Sequence, residues 1–361
     1  MSRVLHAGIA GLALVLMPML MPGQQPSDLL PSALPVPDAR TAEGTITLDV
    51  IVTDKSGNPV AGLQQKDFAV LDDEHTSPIL SFQEVNHSAT VTYGQDQLFV
   101  ILDDVNESLQ YLQYARESVK QFLQQNHGQL PYPVSLAIFT EAGMQIQTQP
   151  SHDGNAMAAA INGLGTPRRL MERSSGIYGS EELLRMSLDG LTSFITQERT
   201  RPGRKLVIWV SPGWPFLNAV PNSLTQNQQQ RIFNSVVGYS TGLRQAQITL
   251  YSVDPQGAID AGSTESSRYK QFVPGLESVA HAEIGDMGLQ AMATQSGGRV
   301  IIGNDLLLHS INICAAELND YYELTIKSGR GDPKHSFHSL GVKLDRSGLT
   351  ARTRTGYYPP Q

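Results

Sequence analysis

A short acidic turn is the stretch of this chain best equipped for chemistry. The apolar run 98–102 is followed at once by Asp103-Asp104-Val105-Asn106-Glu107-Ser108, and residues 109–125 then show helical spacing of apolar side chains. An unbroken apolar run of this length is typical of a strand buried on both faces. The turn therefore joins a buried strand to a helix. There its polar side chains either cap the helix or form a site at the edge of the sheet.

No nucleophile–base arrangement accompanies the acidic turn. The sequence contains no His-Glu-x-x-His, no P-loop, no Gly-x-Gly-x-x-Gly, and no Gly-x-Ser-x-Gly elbow between a strand and a helix. The one cysteine, Cys314, excludes an intramolecular disulfide and a cysteine-based zinc cluster. We therefore expect a protein that is not an enzyme. The alternative is a metal-assisted hydrolase that uses the acidic turn.

The composition limits the class of partner. The chain has 361 residues, of which 40% are hydrophobic and 17% charged, and this is enough apolar material for a packed core. The net charge is −8, so no basic field would attract nucleic acid or an anionic membrane surface. We expect a protein partner, no nucleic acid, and membrane contact only through an uncleaved N-terminal segment, if at all.

The first 23 residues have the layout of a targeting segment. Arg3 precedes the apolar stretch 7–21, and Pro22-Gly23 ends it. A charged start, a short apolar stretch and a polar exit are typical of a secretory signal peptide, and the stretch is shorter than the ~20 residues that span a bilayer. We expect a signal peptide over 1–23, a flexible Pro-containing linker over 24–44, and a secreted or periplasmic protein. The alternative is an uncleaved membrane anchor.

Buried strands and amphipathic helices alternate over residues 96–318. The apolar runs that predict strands are 98–102, 134–139, 205–210, 248–253 and 299–302. The periodic stretches that predict helices are 109–125, 155–164, 181–195, 229–245, 289–294 and 305–318. This alternation predicts an α/β domain with a doubly wound, mostly parallel sheet.

Alternating strand patterns flank this domain on both sides. Residues 45–92 contain three short strand patterns separated by turn residues, which suggest a small antiparallel sheet, and 319–361 contain three more. Neither half is large enough to be stable alone. We therefore expect the N-terminal and C-terminal β half-modules to pack into one small β-sandwich.

The order of apolar strand, acidic turn and amphipathic helix resembles the start of a von Willebrand factor type A domain. That family begins its sheet with an apolar strand that ends in Asp-x-Ser-x-Ser. The later stretch 205–213 resembles the strand of the family that normally ends in Asp-Gly, and 247–254 followed by 289–300 resembles its last third.

The whole chain from residue 45 to 358 more closely resembles the type A-related proteins known mainly from Acidobacteria. Those proteins pair an N-terminal valtDxxGxPVxGLxxxDFxVxxD stretch with a C-terminal Arg-x-Gly-Tyr. Here the first stretch reads Val52 to Leu63 and then Asp67-Phe68-Ala69-Val70-Leu71-Asp72-Asp73, and the second reads Arg354-Thr355-Gly356-Tyr357. The resemblance implies a bacterial interaction or adhesion protein.

The resemblance also implies a Mg²⁺ site at the carboxyl edge of the sheet, and here that site is degenerate. If Asp104 is the first acid of the motif, its two hydroxyl positions are occupied by Asn106 and Ser108. If Asp103 is the first acid, these positions are occupied by Val105 and Glu107. Ser211 replaces the second acid, and the threonine loop offers Ser174, Ser175 or Ser180. We expect no cofactor, with Mg²⁺ bound weakly if at all. The alternative is that Asp103, Asp104 and Asn106 cap the following helix.

Two aromatic residues near this edge are candidates for partner binding. Trp214 and Phe216 follow the strand that ends at Ser211, in the sequence Pro212-Gly213-Trp214-Pro215-Phe216. Exposed aromatic side chains at such a place anchor protein partners. The alternative is a loop that packs on its own domain.

Overall fold

The computed structural model of the protein describes residues 44–86, 96–147, 149–161, 163, 177–215, 224–256, 267–302, 306–329 and 337–359. The predicted signal peptide, and the predicted linker up to residue 43, lie outside these residues. In the described part of the chain, no helix is both long and apolar enough to cross a bilayer.

Four strands come first in the chain. They are β1 (Thr45–Thr53), β2 (Phe68–Asp72), β3 (His75–Ser77) and β4 (Ile79–Asn86). The alternation in β1 reflects burial, since Ile46, Leu48 and Val50 are all enclosed. The predicted antiparallel sheet of these strands alone is wrong, because among the described pairings only β2 and β3 are joined to each other.

The next part of the chain alternates strands and helices. The strands are β5 (Gln97–Asp103), β6 (Gln129–Thr140), β7 (Gly143–Ile146), β8 (Ser151–Asp153), β9 (Lys205–Val210), β10 (Ile248–Val253) and β11 (Val300–Ile301). The helices are α1 (Leu109–Leu123), α2 (Gly154–Ala160), α3 (Ile177–Glu198), α4 (Gln226–Gln245), α5 (Leu289–Gln295) and α6 (Leu307–Ala316).

These strands form one seven-stranded sheet with the order β11-β10-β9-β5-β6-β7, and β8 pairs beside β6. The pairs among β11, β10, β9, β5 and β6 are parallel, whereas β7 and β8 run antiparallel to β6. The predicted α/β class with a mostly parallel sheet is therefore confirmed. The acidic turn after β5 follows a central strand.

Helices cover both faces of this sheet. One apolar cluster joins the sheet to α1, α2 and α6 through Leu112, Met157 and Ile311, and the other joins it to α3 and α4 through Leu188 and Ile232. Because both faces are covered, the strands read as unbroken apolar runs.

Four strands end the chain: β12 (Asp320–Lys327), β13 (His338–Leu344), β14 (Thr350–Arg352) and β15 (Gly356–Tyr357). They pair with the N-terminal strands and form two antiparallel four-stranded sheets, ordered β14-β1-β12-β4 and β15-β13-β2-β3. A single apolar cluster contains Leu48 and Leu324 from the first sheet and Val70 and Tyr357 from the second. Both ends of the chain thus contribute to one core.

A buried arginine connects the three parts of the chain. The Arg204 guanidinium, just before β9, donates to Asp49 of β1 at 3.0 Å and to the carbonyl of Glu317 at 3.0 Å. It also lies over the ring of Tyr321 in β12, 4.4 Å from the centroid. The Arg204 side chain is 3% exposed, so its charge depends on these partners.

A second polar network forms beside it around Glu317, at the end of α6. The Glu317 carboxylate accepts from Arg299 at 2.5 Å, from Arg352 of β14 and from the hydroxyl of Tyr251 in β10. Burial alone would raise the pKa of Glu317, but Arg352 and Arg299 outweigh it and hold that pKa below its usual range. The C-terminal strands are therefore fixed to the α/β part by buried charge.

We expect Arg204→Met to lower the free energy of unfolding by about 3 kcal/mol. The substitution keeps the apolar stem but leaves Asp49 and the Glu317 carbonyl without their buried cation. Urea unfolding measures the loss. Arg185→Ala is the control, since its pair with Asp189 is exposed and should contribute at most about 0.5 kcal/mol. Equal losses in the two variants would contradict the bridging role.

Removal of residues 320–361 should release the N-terminal strands. The deletion removes β12, which pairs with both β1 and β4, so we expect amide protection to be lost over 45–53 and 79–86. Hydrogen exchange measures this, with β5 as the internal control because its partners β6 and β9 remain. Continued protection of β1 in the shortened chain would disprove the dependence.

Candidate functional site

The acidic turn lies at the carboxyl edge of the sheet, where the two candidate acids are buried to different extents. Asp103 is the last residue of β5 and is fully enclosed, whereas Asp104 is only partly buried. Of the two, Asp103 is thus the acid that the sheet edge encloses. The two positions that follow it in the implied motif are Val105, which is apolar and fully buried, and Glu107, which is also buried.

Donors from this protein surround the Asp103 carboxylate. Oδ2 accepts from the indole Nε1 of Trp209 at 2.9 Å and from the Asn106 amide at 2.9 Å. Oδ1 accepts from the backbone N–H groups of Val105 and Asn106 at 3.0 and 2.9 Å. A carboxylate has about four acceptor positions, so these donors fill it.

Burial dominates the electrostatics of this edge. It raises the pKa of Asp103, and the hydrogen bonds from Asn106 and Trp209 oppose it only in part. Burial likewise raises the pKa of Glu107 to about 7, against hydrogen bonds from the Ser108 N–H and Gln256. Burial thus favours the neutral form of both carboxyl groups, and the edge carries less negative charge than their number suggests.

A hydroxyl from helix α3 reaches the turn, and it belongs to Ser187. The Asn106 amide nitrogen donates to Ser187 Oγ at 2.9 Å, while Asn106 Oδ1 is buried without a hydrogen-bond partner. Ser180, in the first turn of α3, is partly buried, and Ser174 and Ser175 lie outside the described residues. Ser187 follows Ser180 by two helical turns and so shares its face, a spacing that could have identified it from the sequence.

The cap of α1 is Ser108. Its hydroxyl accepts from the Tyr111 N–H at 3.5 Å, and Ser108 has the extended backbone of an N-cap. The expectation that Asp103, Asp104 and Asn106 cap this helix is therefore wrong, because another residue of the turn is the cap. Asp103 instead accepts the N–H groups of the turn that precedes the helix.

Trp214 is a core residue, which corrects its interpretation as an exposed anchor. Its side chain is 2% exposed and packs edge-on against Trp209, with ring centroids 5.4 Å apart. Ser211 is fully buried, and its Oγ accepts from the Gly213 N–H at 3.2 Å, so the loop folds back on its own domain. Phe216 lies outside the described residues.

One stretch matches the spacing of a hydrolase nucleophile but not its structural context. Gly238-Tyr239-Ser240-Thr241-Gly242 reads Gly-x-Ser-x-Gly, and it lies within α4. A nucleophile elbow requires a sharp turn between a strand and a helix. Ser240 in a helix interior lacks that turn.

Comparisons with known proteins give little further guidance. No family model matches the chain, and no curated protein matches it. Two structures of the pilus adhesin SpaC from Lactobacillus rhamnosus GG, one of them in an open conformation, are similar at 10% and 8% identity. The matches cover 86% and 84% of this chain, which spans about half (49%) of that adhesin. The TM-score is 0.32 in both, too low to indicate a shared fold.

Trp209→Phe should destabilise the protein more than Trp214→Phe. Both changes replace a buried indole by a smaller ring, but only Trp209 donates to Asp103, whereas Trp214 Nε1 is buried without a partner. Loss of a donor to a buried carboxyl costs about 2 kcal/mol, so we expect this difference between the two variants in urea unfolding. Equal destabilisation would show that Trp209 contributes packing alone.

Proposed function

We propose that this chain is a secreted or envelope-associated, non-enzymatic interaction protein of the adhesion type, built on a type A-like domain. The observation that carries the proposal is the Asp103 carboxylate, which lies at the carboxyl edge of a central strand and is filled by donors of its own protein. Strand β9 reaches the same edge, where its Trp209 donates to Asp103, and the fully buried Ser211 follows two residues later. The resemblance assigns the second acid to this place.

The physical argument against metal chemistry at this edge is one of hydrogen bonding. Mg²⁺ loses water reluctantly and needs charged oxygen ligands in octahedral geometry. To bind it directly, Asp103 would have to give up donors such as Trp209 Nε1, which would then be buried without an acceptor. Ser211 supplies no second charge. The site is therefore a type A-like edge in which protein donors replace the cation.

The two antiparallel sheets form, in this proposal, one β-sandwich made from both ends of the chain. Its support is the apolar cluster that contains Leu48, Leu324, Val70 and Tyr357 from the two sheets. The sandwich holds the type A-like domain through Arg204 and Glu317 and leaves the carboxyl edge of the parallel sheet on the far side of those contacts for a partner.

The proposal places a partner surface beside the acidic turn. Leu109, the first residue of α1, is 65% exposed, and Leu306, the N-cap residue of α6, is 71% exposed. Both helices start at the carboxyl edge of the sheet. Tyr114 is 40% exposed, and its hydroxyl accepts the Leu307 N–H at 3.2 Å, which holds the two helix starts together. Clustered exposed apolar side chains mark protein interaction sites. We call Leu109, Tyr114 and Leu306 the edge patch.

Replacing the edge patch should abolish capture of a protein partner. We expect the full-length protein to retain a specific partner from envelope extracts, with and without EDTA, and the Leu109→Asp/Leu306→Asp variant to lose it while its circular dichroism is unchanged. Leu80→Asp is the matched control, because Leu80 is 56% exposed but lies on β4, in the sandwich.

Two outcomes would contradict this proposal. One is partner capture that EDTA abolishes together with micromolar Mg²⁺ binding in calorimetry, since we expect a Kd of about 1 mM or weaker, near −4 kcal/mol. The other is metal-dependent turnover of ester, phosphate or peptide substrates that disappears on Asp104→Ala, which would favour the hydrolase.

A further inference from the structure

We propose that Asp72, Asp73 and His338 form a binding site for a divalent transition-metal ion at the seam between the two ends of the chain. Asp72 ends β2 and Asp73 follows it, while His338 begins β13, the strand paired with β2. One ligand atom from each of the three residues lies within 4.8 Å of the others. This site is far along the chain from the acidic turn and independent of it.

The distances suit a shared ion. His338 Nδ1 lies 3.0 Å from Asp72 Oδ1 and 3.0 Å from Asp73 Oδ2. Neighbouring ligands about 2.1 Å from a tetrahedral zinc ion stand about 3.4 Å apart. The two distances at His338 Nδ1 are about 0.4 Å shorter than this spacing, and the two carboxylate oxygens lie within 4.8 Å of each other, so small side-chain movements bring the three atoms around one ion.

One N–H group at His338 Nδ1 cannot donate fully to both of the carboxylate oxygens beside it. Nδ1 can carry one hydrogen, yet it faces two carboxylate oxygens of like charge. If the N–H points at one carboxylate oxygen, the other oxygen still lies close to Nδ1 but receives no full hydrogen bond from it. A divalent cation in place of the proton is attracted to both carboxylates and to the nitrogen lone pair at once.

The remaining oxygens of the two carboxylates are held by other groups. Tyr357 donates its hydroxyl to Asp72 Oδ2 at 2.8 Å, and Ser339 donates its N–H and hydroxyl to Asp73 Oδ1 at 2.8 and 3.2 Å. Each carboxylate thus has one oxygen fixed by the protein and the other turned towards His338. Outer contacts of this kind orient the ligands of metal sites.

The backbone explains how two consecutive residues reach one point. Side chains that follow each other in a strand lie on opposite faces. Here Asp73 and Glu74 have positive φ values of 48° and 65°, as the central residues of a type I′ hairpin turn require. The turn carries Asp73 back to the side of Asp72. Its side chain is 44% exposed, so water can complete the coordination shell.

The ligand set indicates the class of metal. Imidazole nitrogen favours zinc and its neighbours in the first transition row, whereas Mg²⁺ and Ca²⁺ prefer oxygen ligands alone. One histidine and two carboxylates therefore predict binding of Zn²⁺ ahead of Mg²⁺ or Ca²⁺. Since β2 comes from the N-terminal and β13 from the C-terminal part of the chain, the ion would clip the two together.

The test is calorimetric titration of the full chain with Zn²⁺, with the melting temperature as a second readout. We expect one saturable site and a melting temperature that rises with Zn²⁺ and returns with EDTA. Loss of an outer contact weakens metal binding by about 10–100-fold. We therefore expect Tyr357→Phe, which removes such a contact, to weaken Zn²⁺ binding by about tenfold, and Asp73→Asn, which removes a ligand, to weaken it by more than about 100-fold. Asparagine still accepts from Ser339 and tolerates positive φ, so Asp73→Asn should fold.

The controls separate this site from others on the chain. The chain has nine histidines, so His152→Gln, which alters a histidine bonded to the Leu130 carbonyl at 2.9 Å, should leave Zn²⁺ binding unchanged. Asp104→Asn should leave it unchanged too, which keeps the result distinct from the proposed function. Unchanged affinity in Asp73→Asn, or no saturable binding by the unmodified protein, would overturn the proposal.

Discussion

The buried charge of Arg204 is the constraint on which the arrangement of this molecule depends. A guanidinium removed from water is stable only when its partners are also in place, and here the partners come from three separate parts of the chain. Asp49 lies in the first strand, the Glu317 carbonyl ends the last helix, and Tyr321 lies in the strand that follows. Each part therefore stabilises the others, and the interface around Glu317 extends the same dependence to β14.

The carboxyl edge of the parallel sheet solves a similar problem in a different way. Asp103 is a buried acid at the carboxyl end of a central strand, and its donors are an indole, an amide and two backbone N–H groups. Such donors stabilise a carboxylate without adding a net charge. In the interaction protein proposed above, an edge built in this way would offer a partner shape and hydrophobic contact rather than an open coordination position.

The fold class could be predicted from the sequence because double-sided burial leaves unbroken apolar runs, as in β5, β9 and β10. Strand partners could not, because alternation identifies the buried face of β1 but not the strand beside it, and β12 lies at the other end of the chain. Exposure of Trp214 was misjudged because a Pro-Gly-Trp-Pro stretch reads as a surface loop, while Trp209 in the neighbouring strand offers it an aromatic surface. Ser187 could not be identified from the residues around the turn, because it lies in α3, far away in sequence, and contacts Asn106 only through the packing of that helix.

The pairing of β1 with β12 also fixes the order in which the molecule can be completed during synthesis. Thr45 pairs with Lys327, so the first strand has no neighbour on that side until residues 320–327 have left the ribosome. The parallel sheet can close earlier, since its strands lie between these two points. Contacts between distant segments form slowly, and an apolar strand with an open edge is prone to pair with other chains. The nascent protein thus passes through a long stage in which β1 needs protection, and that stage ends only when the C-terminal strands arrive.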